Sequence, residues 1–356
     1  NVLSTTQPIH RTEKHMIGHD PLTTYKAAVI GAGAGGLTMA IGLSTFGHDV
    51  VLIEGDKVGG DCTNVGCIPS KALLHAAGVG MDDPFAWVQA RRDGLAAHED
   101  VEMETDDHIH LVRGWARLTK SENDAHTVCV SGPDGDVEVH AENVIVSTGS
   151  KPIEIPVEGL GPERVLTNEN IFEMETVPDT VVLIGGGVIS LEMATAFLDL
   201  GSEVHIVELA ERLIGIEDPL VSCTIEAALR DRGAHMHTST SIERFDEALQ
   251  TAHLTNGDAI VGVDKVLIGI GRCPKLAGLG LEDAGVDLTR NGIVADDWGR
   301  TSVDGVYAVG DVTGNTATTH GANSIARRAI RAIALPLPKI GNARALPSAV
   351  YCRPQL

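Results

Sequence analysis

Two cysteines, Cys62 and Cys67, are separated by four residues in a glycine-rich segment that leads into an apolar helical stretch, residues 72–77. An unbroken helix would separate them by about 7.5 Å along its axis, whereas a disulfide needs Cα atoms closer than about 7 Å. A bridge therefore requires a distorted first turn or a position for Cys62 just before the helix, and Gly66 and Pro69 permit either. A strained bridge is reducible, and a helix N-terminus favours the thiolate.

Two other interpretations of this pair are buried structural thiols or half of a metal site. Metal binding requires further Cys or His at short spacing, and none follows. We therefore favour redox chemistry. The remaining cysteines lack a motif, and we expect ordinary reduced thiols at Cys129, Cys223, Cys273 and Cys352.

A glycine-rich loop upstream of the cysteines indicates a nucleotide-binding site. The buried-strand pattern Ala27–Ile30 leads into Gly31, Gly33 and Gly36 and then into an apolar helix, and the next strand ends in Glu54. In a dinucleotide-binding unit the first glycine makes the tight turn, the second lets the backbone approach a pyrophosphate, and the third lets helix and strand pack closely. Glu54 lies 54 − 31 = 23 residues after the first glycine, where an acid accepts a hydrogen bond from a ribose hydroxyl.

The same unit recurs without a gap at an offset of 185 − 31 = 154 residues. Gly185, Gly187 and Glu208 match the first unit, and Ser190 takes the place of its third glycine. Serine is small enough to allow close packing. Two dinucleotide sites beside a redox cysteine pair indicate one bound flavin and one exchanging nicotinamide nucleotide.

The segment from Gly59 to Leu74 resembles the active-site segment of the class I pyridine nucleotide–disulfide oxidoreductases, the family of dihydrolipoamide dehydrogenase, mercuric reductase and glutathione reductase. The resemblance implies an α/β fold with two Rossmann-like dinucleotide-binding domains, for FAD and for NAD(P), the second inserted into the first. It also implies that Asp311, after the strand-like run 305–310, hydrogen-bonds the ribityl chain of FAD.

The cofactor-binding residues follow from the loops and the resemblance together. For FAD they are Gly31, Gly33, Gly36, Glu54, Gly60, Thr148, Gly149, Gly310 and Asp311, and for the nicotinamide nucleotide Gly185, Gly187, Ser190, Glu208 and Gly271. We expect NADH to be preferred over NADPH, because Glu208 would repel a 2′-phosphate. Arg212, four residues on, is the residue that could oppose this preference.

The resemblance also implies the catalytic roles. Cys67 would lie nearer the flavin and form the charge-transfer thiolate, while Cys62 would exchange with substrate. Lys71 would lie near the flavin N5 and pair with Glu192 on the helix of the second unit. Electrons would pass from NAD(P)H through FAD to the disulfide, and on to a small disulfide or dithiol or a protein-bound lipoyl group, as in dihydrolipoamide dehydrogenase.

Two alternatives stay open: a mercuric reductase-like enzyme, and a redox-sensing or binding module with only diaphorase activity. The second rests on the end of the sequence. Relatives carry a third domain that makes the dimer and supplies a His-x-x-x-x-Glu pair, and no such pair follows Asp311. We therefore expect this family homodimer interface to be absent and disulfide turnover to be slow.

Linker-like Pro and Gly residues divide the sequence into five parts. We expect a flexible arm over residues 1–24, the FAD-binding domain over 25–152 and 276–345, the NAD(P)-binding domain over 153–275, and the start of an interface domain over 346–356. Between the loops, the patterns predict a helix over residues 90–100 and strands over 108–117 and 127–139.

Composition limits the partners. The 356 residues carry a formal net charge of −22, which argues against nucleic acid and anionic membranes. No run approaches the roughly 18 apolar residues of a membrane span, and we expect a cytoplasmic protein. His108 and His110, and His235 and His237, would each share one strand face, but without a nearby carboxylate or cysteine we favour solvated faces and expect no metal site.

Overall fold

The computed structural model describes residues 23–120, 125–314, 318–335 and 346–355. Most of the expected N-terminal arm, residues 1–22, and the Pro-rich residues 336–345 lie outside the described residues. Thr24, which we assigned to the arm, belongs to the short strand Thr24–Tyr25 and pairs with His140.

A five-stranded parallel sheet forms the centre of the first unit. Its strand order is Val306–Ala308, Val144–Val146, Ala27–Ile30, Val50–Glu54, Ile109–Arg113. The inner strands are continuous runs of small and branched apolar residues and are buried on both faces, as the strands of a covered parallel sheet must be. The last strand in sequence returns to the edge of this sheet, so the second unit is an insertion in the first.

Helices and a small sheet cover the two faces of this sheet. The helices of the first unit are Ala34–Thr45, Gly60–Asn64, Cys67–Gly78, Pro84–Thr105 and Thr319–Ala334. The small sheet contains Trp115–Leu118, His126–Gly132, Gly135–Ala141 and Thr24–Tyr25. One apolar core lies under the helices and another under the small sheet.

The second unit repeats this plan. Its parallel sheet has the order Val165–Leu166, Lys265–Ile268, Thr180–Ile184, Glu203–Val207, His235–His237. The helices Val188–Asp199 and Pro219–Asp231 cover one face, and the antiparallel strands Ile242–Asp246, Thr251–Leu254 and Ala259–Ile260 cover the other.

The two chain segments that join the units pair with each other. The strand Ser150–Pro152 leaves the first unit and Arg272–Pro274 returns to it, and the two are antiparallel neighbours with Pro152 opposite Arg272. We call this pair the connecting ribbon. The remaining short elements are the hairpin Leu288–Thr289 with Gly292–Ile293 and the 3₁₀ turns Pro162–Arg164, Ile171–Glu173 and Asp311–Thr313.

Three local predictions need correction. The segment predicted as one strand over residues 108–117 is two strands of different sheets, Ile109–Arg113 and Trp115–Leu118, with Gly114 at a φ of 156° between them. The segment predicted as one strand over residues 127–139 is a hairpin, His126–Gly132 and Gly135–Ala141, because Gly135 adopts a left-handed φ of 109° in the turn. The helix predicted over 90–100 runs from Pro84 to Thr105, and the Asp83 carboxylate caps its start by accepting from Ala86 N at 3.1 Å. No helix of the described residues is long and apolar enough to cross a membrane.

The helix Cys67–Gly78 links the cores of the two units. Its buried residues Leu73, Leu74 and Ala77 belong to the apolar cluster that contains Leu191 and Ala194 of the second unit's first helix. The two helices thus pack directly on each other, which places the cysteine segment at the junction of the two nucleotide-binding units.

Candidate functional site

The two cysteines lie on separate helices. Cys62 belongs to the short helix Gly60–Asn64, and Cys67 is the first residue of the helix Cys67–Gly78. Gly66 lies between the two helices, and a Cβ there would meet the carbonyl oxygen of Asp61 at 2.7 Å. Of the two arrangements open from the sequence, the structure therefore has Cys62 before the helix.

The dithiol form in this structure is electrostatically asymmetric. A hydrogen bond from Cys62, helped by the Thr319 hydroxyl and the Lys71 ammonium, lowers the pKa of the Cys67 thiol although burial opposes this. The same hydrogen bond, together with burial, raises the pKa of Cys62. These opposite shifts favour the thiolate at Cys67 and the thiol at Cys62.

Thr319 was not singled out from the sequence. Its Oγ1 lies 3.3 Å from Cys62 Sγ, to which it donates, and 3.4 Å from Cys67 Sγ. The residue is first in the helix Thr319–Ala334, more than 250 positions along the chain. No local pattern marks it, since only the return of the chain to the first sheet brings it to the cysteines.

Lys71 and Glu192 form the ion pair that the resemblance implied. Lys71 Nζ donates to Glu192 Oε2 at 2.7 Å and lies 4.8 Å from the centroid of the Tyr351 ring. The second oxygen, Glu192 Oε1, accepts from Tyr351 N at 3.3 Å. The buried carboxylate is therefore neutralised and hydrogen-bonded, and the pair joins the two units beside Cys67.

A second polar network holds Asp61, the residue before Cys62. The Arg272 guanidinium contacts the Asp61 carboxylate and donates from Nε to Ser150 Oγ at 2.7 Å. Ser150 Oγ in turn donates to Asp311 Oδ2 at 2.7 Å. Asp311 was predicted from the sequence, whereas Asp61 and Arg272 were not. These two residues lie 211 positions apart and meet because Arg272 belongs to the connecting ribbon.

The first glycine loop has the shape that a dinucleotide pyrophosphate needs. Gly31 has a φ of 97°, and a Cβ on Gly36 would lie 1.9 Å from the carbonyl oxygen of Gly31. Gly33 is open, since a Cβ there would meet only Gly60 Cα at 3.9 Å, whereas one on Gly60 would meet Gly33 Cα at 2.7 Å. The free N–H groups of the helix Ala34–Thr45 start at this loop.

The acidic residues expected to hold the flavin lie around the same loop. Glu54 accepts from Ala32 N at 2.6 Å and from Asp56 N at 2.8 Å, and burial raises its pKa. A cavity of about 270 Å³ opens beside it, lined also by Arg113 and Trp115. Burial also raises the pKa of Asp311. Because Glu54 bonds the loop and also lines the cavity, the residues present fit the adenosine and pyrophosphate of FAD.

The other residues expected at the flavin form the walls of this region. Thr148 Oγ1 donates to the carbonyl oxygen of Lys275 at 2.8 Å. Gly149 and Gly310 both have left-handed φ values, of 70° and 84°. They turn the chain at the ends of two neighbouring strands of the first sheet, where a side chain would be strained.

The second glycine loop repeats the geometry of the first. Gly185 has a φ of 97°, and the helix Val188–Asp199 starts after Gly187. Glu208 Oε2 accepts from Gly186 N at 2.5 Å and Oε1 from Ala210 N at 2.7 Å, as Glu54 does in the first unit. Gly271, with a φ of 122°, closes the strand end beside it. These residues fit the adenosine part of a second dinucleotide.

Arg212 is engaged elsewhere. Its guanidinium donates to the carbonyl oxygens of Glu217 at 3.0 Å and Gly215 at 2.6 Å. Arg212 therefore stabilises its own loop and is not free to bind a 2′-phosphate.

Comparison with known proteins agrees with this geometry. Residues 25–326 match the family described as pyridine nucleotide-disulphide oxidoreductase. Similar curated relatives include a dihydrolipoyl dehydrogenase of Bacillus subtilis, 33% identical over 83% of this chain and 68% of that protein, and dihydrolipoyl dehydrogenase 3 of Haloarcula marismortui, 30% identical over 96% of this chain and 77% of that protein.

A solved structure of the same kind is the Cu(II) complex of the HOCl-induced flavoprotein disulfide reductase RclA from Escherichia coli. It superposes with a TM-score of 0.85 at 29% identity, covering 94% of this chain and 76% of that one. The family uses FAD and a pyridine nucleotide, and the α/β fold with two Rossmann-like units is shared. This chain belongs to the pyridine nucleotide-disulphide oxidoreductase family.

Proposed function

We propose that this protein passes two electrons from NADH, through FAD, to a Cys62–Cys67 disulfide and from there to a disulfide compound of the lipoyl type, which is released as the dithiol. The observation that carries the proposal is the unequal thiol pair, with a lowered pKa at Cys67 and a raised pKa at Cys62, at the junction of two dinucleotide-binding units. The dihydrolipoyl dehydrogenase relatives support the substrate class.

When bound, FAD would accept a hydride from NADH and pass the two electrons to sulfur. When the Cys62–Cys67 bond breaks, the pair takes up two electrons and one proton. Cys67 holds the negative charge, stabilised by Cys62, Thr319 and Lys71, and Cys62 holds the proton. The asymmetry keeps one sulfur charged and leaves the other to exchange.

Thiol–disulfide exchange with the substrate takes two steps. Cys62, once deprotonated, attacks one sulfur of the substrate disulfide, and the other substrate sulfur leaves and takes a proton. The Cys67 thiolate then attacks the Cys62 sulfur of the mixed disulfide, which restores the internal bond and releases the second substrate sulfur as a thiol after protonation. Lys71 and Thr319 hold Cys67 as the nucleophile of the second step.

The preference for NADH rests on Glu208 and Arg212. The Glu208 carboxylate lies on the second glycine loop, where a ribose hydroxyl can donate to it and a 2′-phosphate is repelled. Arg212 is committed to backbone carbonyls. We expect NADH to reduce the bound flavin faster than NADPH.

The central test counts thiols in single turnover. One equivalent of NADH, added anaerobically to the FAD-loaded protein, should expose two alkylatable cysteines, identified by mass spectrometry as Cys62 and Cys67, and one equivalent of oxidised lipoamide should close them again. Cys62→Ser should abolish reoxidation by lipoamide while ferricyanide still reoxidises the flavin. The exposed Cys129→Ser is the matched control and should behave as wild type.

Parallel trials with glutathione disulfide and Hg(II) identify the acceptor class. Reoxidation by lipoamide in the Cys62→Ser variant would refute the proposed exchange. Faster reoxidation by Hg(II) than by either disulfide would favour a mercuric reductase-like activity.

A pH profile tests the asymmetry separately. In the reduced protein, iodoacetamide should label Cys67 at nearly full rate as the pH falls below about 8.5, the ordinary thiol pKa, because its lowered pKa keeps it ionised there. Cys129, whose pKa burial raises, is an internal control and should lose reactivity from higher pH. Thr319→Val should move the Cys67 midpoint upward by removing a hydroxyl that lowers its pKa. Equal midpoints for Cys67 and Cys129 would contradict the assignment.

A further inference from the structure

Three histidines and a glutamate meet on the second unit's sheet, apart from the redox chemistry. Glu203 and His205 alternate along the strand Glu203–Val207, and His235 and His237 alternate along its parallel neighbour. The register places His205 beside His235 and Val207 beside His237. All four side chains therefore project from one face, opposite to Val204 and Ile206, which pack under the helices.

The ligand atoms of three of these side chains converge. His205 Nε2 lies 3.1 Å from Glu203 Oε1, and His235 Nε2 lies 3.6 Å from the same oxygen. The three atoms all lie within 4.8 Å of one another. The His205 and His235 rings are stacked, with centroids 4.6 Å apart and planes 17° apart.

These separations match a coordination sphere. Zinc binds imidazole nitrogen at about 2.0–2.1 Å and carboxylate oxygen at about 2.0–2.2 Å, so the ligand atoms of a tetrahedral site are about 3.3 Å apart. The two distances to Glu203 Oε1 lie on either side of that value. Small side-chain rotations are enough to bring the two nitrogens and the oxygen onto one ion.

His237 supplies the outer hydrogen bond that ligating histidines require. Its Nε2 lies 3.1 Å from His205 Nδ1, so the Nδ1 proton of His205 can be donated to it while Nε2 faces the ion.

We propose that Glu203, His205 and His235 bind a borderline divalent cation of the zinc class, with His237 as the positioning residue for His205. His205 is 11% exposed, whereas Glu203 and His235 are 54% and 55% exposed, so an ion can enter from solvent and retain water in its remaining positions. The bound ion would join two neighbouring strands of the NAD(P)-type unit.

Sequence spacing could not show this cluster. In the sequence, His235 and His237 form a pair without a nearby carboxylate. The parallel register brings Glu203 and His205 to them from a strand about 30 positions earlier. The proposal is independent of the identity of the electron acceptor.

The test is calorimetric titration of the oxidised, FAD-loaded protein with Zn²⁺, after exposed thiols are alkylated and metals are removed on a chelating resin. Wild type should bind one Zn²⁺ at this site. His235→Ala should weaken that binding by at least about 10-fold, and His237→Ala by about 10- to 100-fold, the usual effect of losing an outer hydrogen bond. His108→Ala is the matched control, because His108 is an exposed strand-end histidine with a single carboxylate partner, Asp49, at 2.8 Å.

Co²⁺ gives an independent spectroscopic readout, since visible absorption bands should form in wild type and in His108→Ala but not in His235→Ala. Flavin absorbance shows that each variant is folded. Failure of wild type to bind Zn²⁺, or unchanged binding in both His235→Ala and Glu203→Gln, would overturn the proposal.

Discussion

The two nucleotide-binding units share a strand order and a glutamate with the same two backbone hydrogen bonds, but they differ where the first helix touches the sheet. In the first unit the strand-end residue is Ser147 and the helix residue is Gly36. In the second unit the strand-end residue is Gly269 and the helix residue is Ser190. The serine is therefore on the strand in the first unit and on the helix in the second.

The exchange shows what the third glycine of the motif is for. In the first unit a Cβ on Gly36 would lie 2.8 Å from Ser147 Oγ, and in the second a Cβ on Gly269 would lie 2.4 Å from Ser190 Oγ. Each junction has room for one side chain. In the second unit the helix residue carries the side chain and the facing residue, Gly269, has none, so Ser190 is a compensated departure from the motif.

The two hydroxyls are not equally satisfied. Ser147 Oγ is 2.9 Å from the carbonyl oxygens of both Ile30 and Gly31, to which it can donate. Ser190 Oγ is buried and has no hydrogen-bond partner within the described part of the chain. The first junction should therefore be the more stable and the less tolerant of change.

The largest expected effect is at Gly36. Gly36→Ala places a Cβ 1.9 Å from a backbone oxygen, which a side-chain movement cannot relieve. We expect a loss of about 3 kcal/mol or more of unfolding free energy and loss of bound flavin. Urea denaturation and flavin absorbance measure both, and retained flavin with wild-type stability would break the proposed asymmetry between the junctions.

The next effect is at Gly269, where the obstacle is a side chain. Gly269→Ala should cost about 1 to 3 kcal/mol, because its Cβ would meet Ser190 Oγ at 2.4 Å but Ser190 Cβ only at 3.7 Å. The double variant Gly269→Ala/Ser190→Gly recreates the glycine placement of the first unit and should regain most of this loss. A double-mutant cycle with no coupling energy would refute the compensation.

Substitution of the two glutamates should distinguish the units by the cofactor that each is proposed to bind. Glu208→Gln should reduce the discrimination between NADH and NADPH by about tenfold, or about 1.4 kcal/mol, because the charge that repels a 2′-phosphate is removed. Glu54→Gln should weaken FAD binding and leave nucleotide discrimination unchanged. Stopped-flow rates of flavin reduction by the two nucleotides measure the first effect, and identical ratios in wild type and Glu208→Gln would contradict the assignment.

The smallest effects concern the serine hydroxyls. Ser147→Ala should cost about 1 to 2 kcal/mol because buried hydrogen bonds are lost, whereas Ser190→Ala should stabilise by up to about 1 kcal/mol because an unsatisfied buried hydroxyl is removed. The two variants differ from wild type by the same atom, so each controls for the other. Equal denaturation midpoints would show that the hydroxyls are equivalent.

Features that are encoded within a short stretch of sequence could be predicted. Both strand–loop–helix units could be placed because the glycines, the apolar runs and the acid after the second strand lie within about 25 positions of each other. The hairpin turn at Pro133 and Gly135 was also encoded locally, and the long strand prediction overlooked it.

Contacts between distant segments could not be predicted in the same way. Thr319 reaches Cys67 across 252 positions, and Arg272 reaches Asp61 across 211. Lys71 and Glu192, 121 positions apart, were paired only through a family resemblance. Side-chain chemistry of this kind depends on where the chain returns to the sheet, which periodicity does not record.

The connecting ribbon bears on how such a protein could arise. Because Pro152 faces Arg272 in a pair that is not hydrogen-bonded, the points where the second unit begins and ends are only about 4.5 Å apart, the usual Cα spacing of such a pair. A complete folded module can be spliced into a host at one such point without separating the host's own strands. Gene duplication followed by insertion into a surface turn is a sufficient evolutionary route to two nested copies of one architecture.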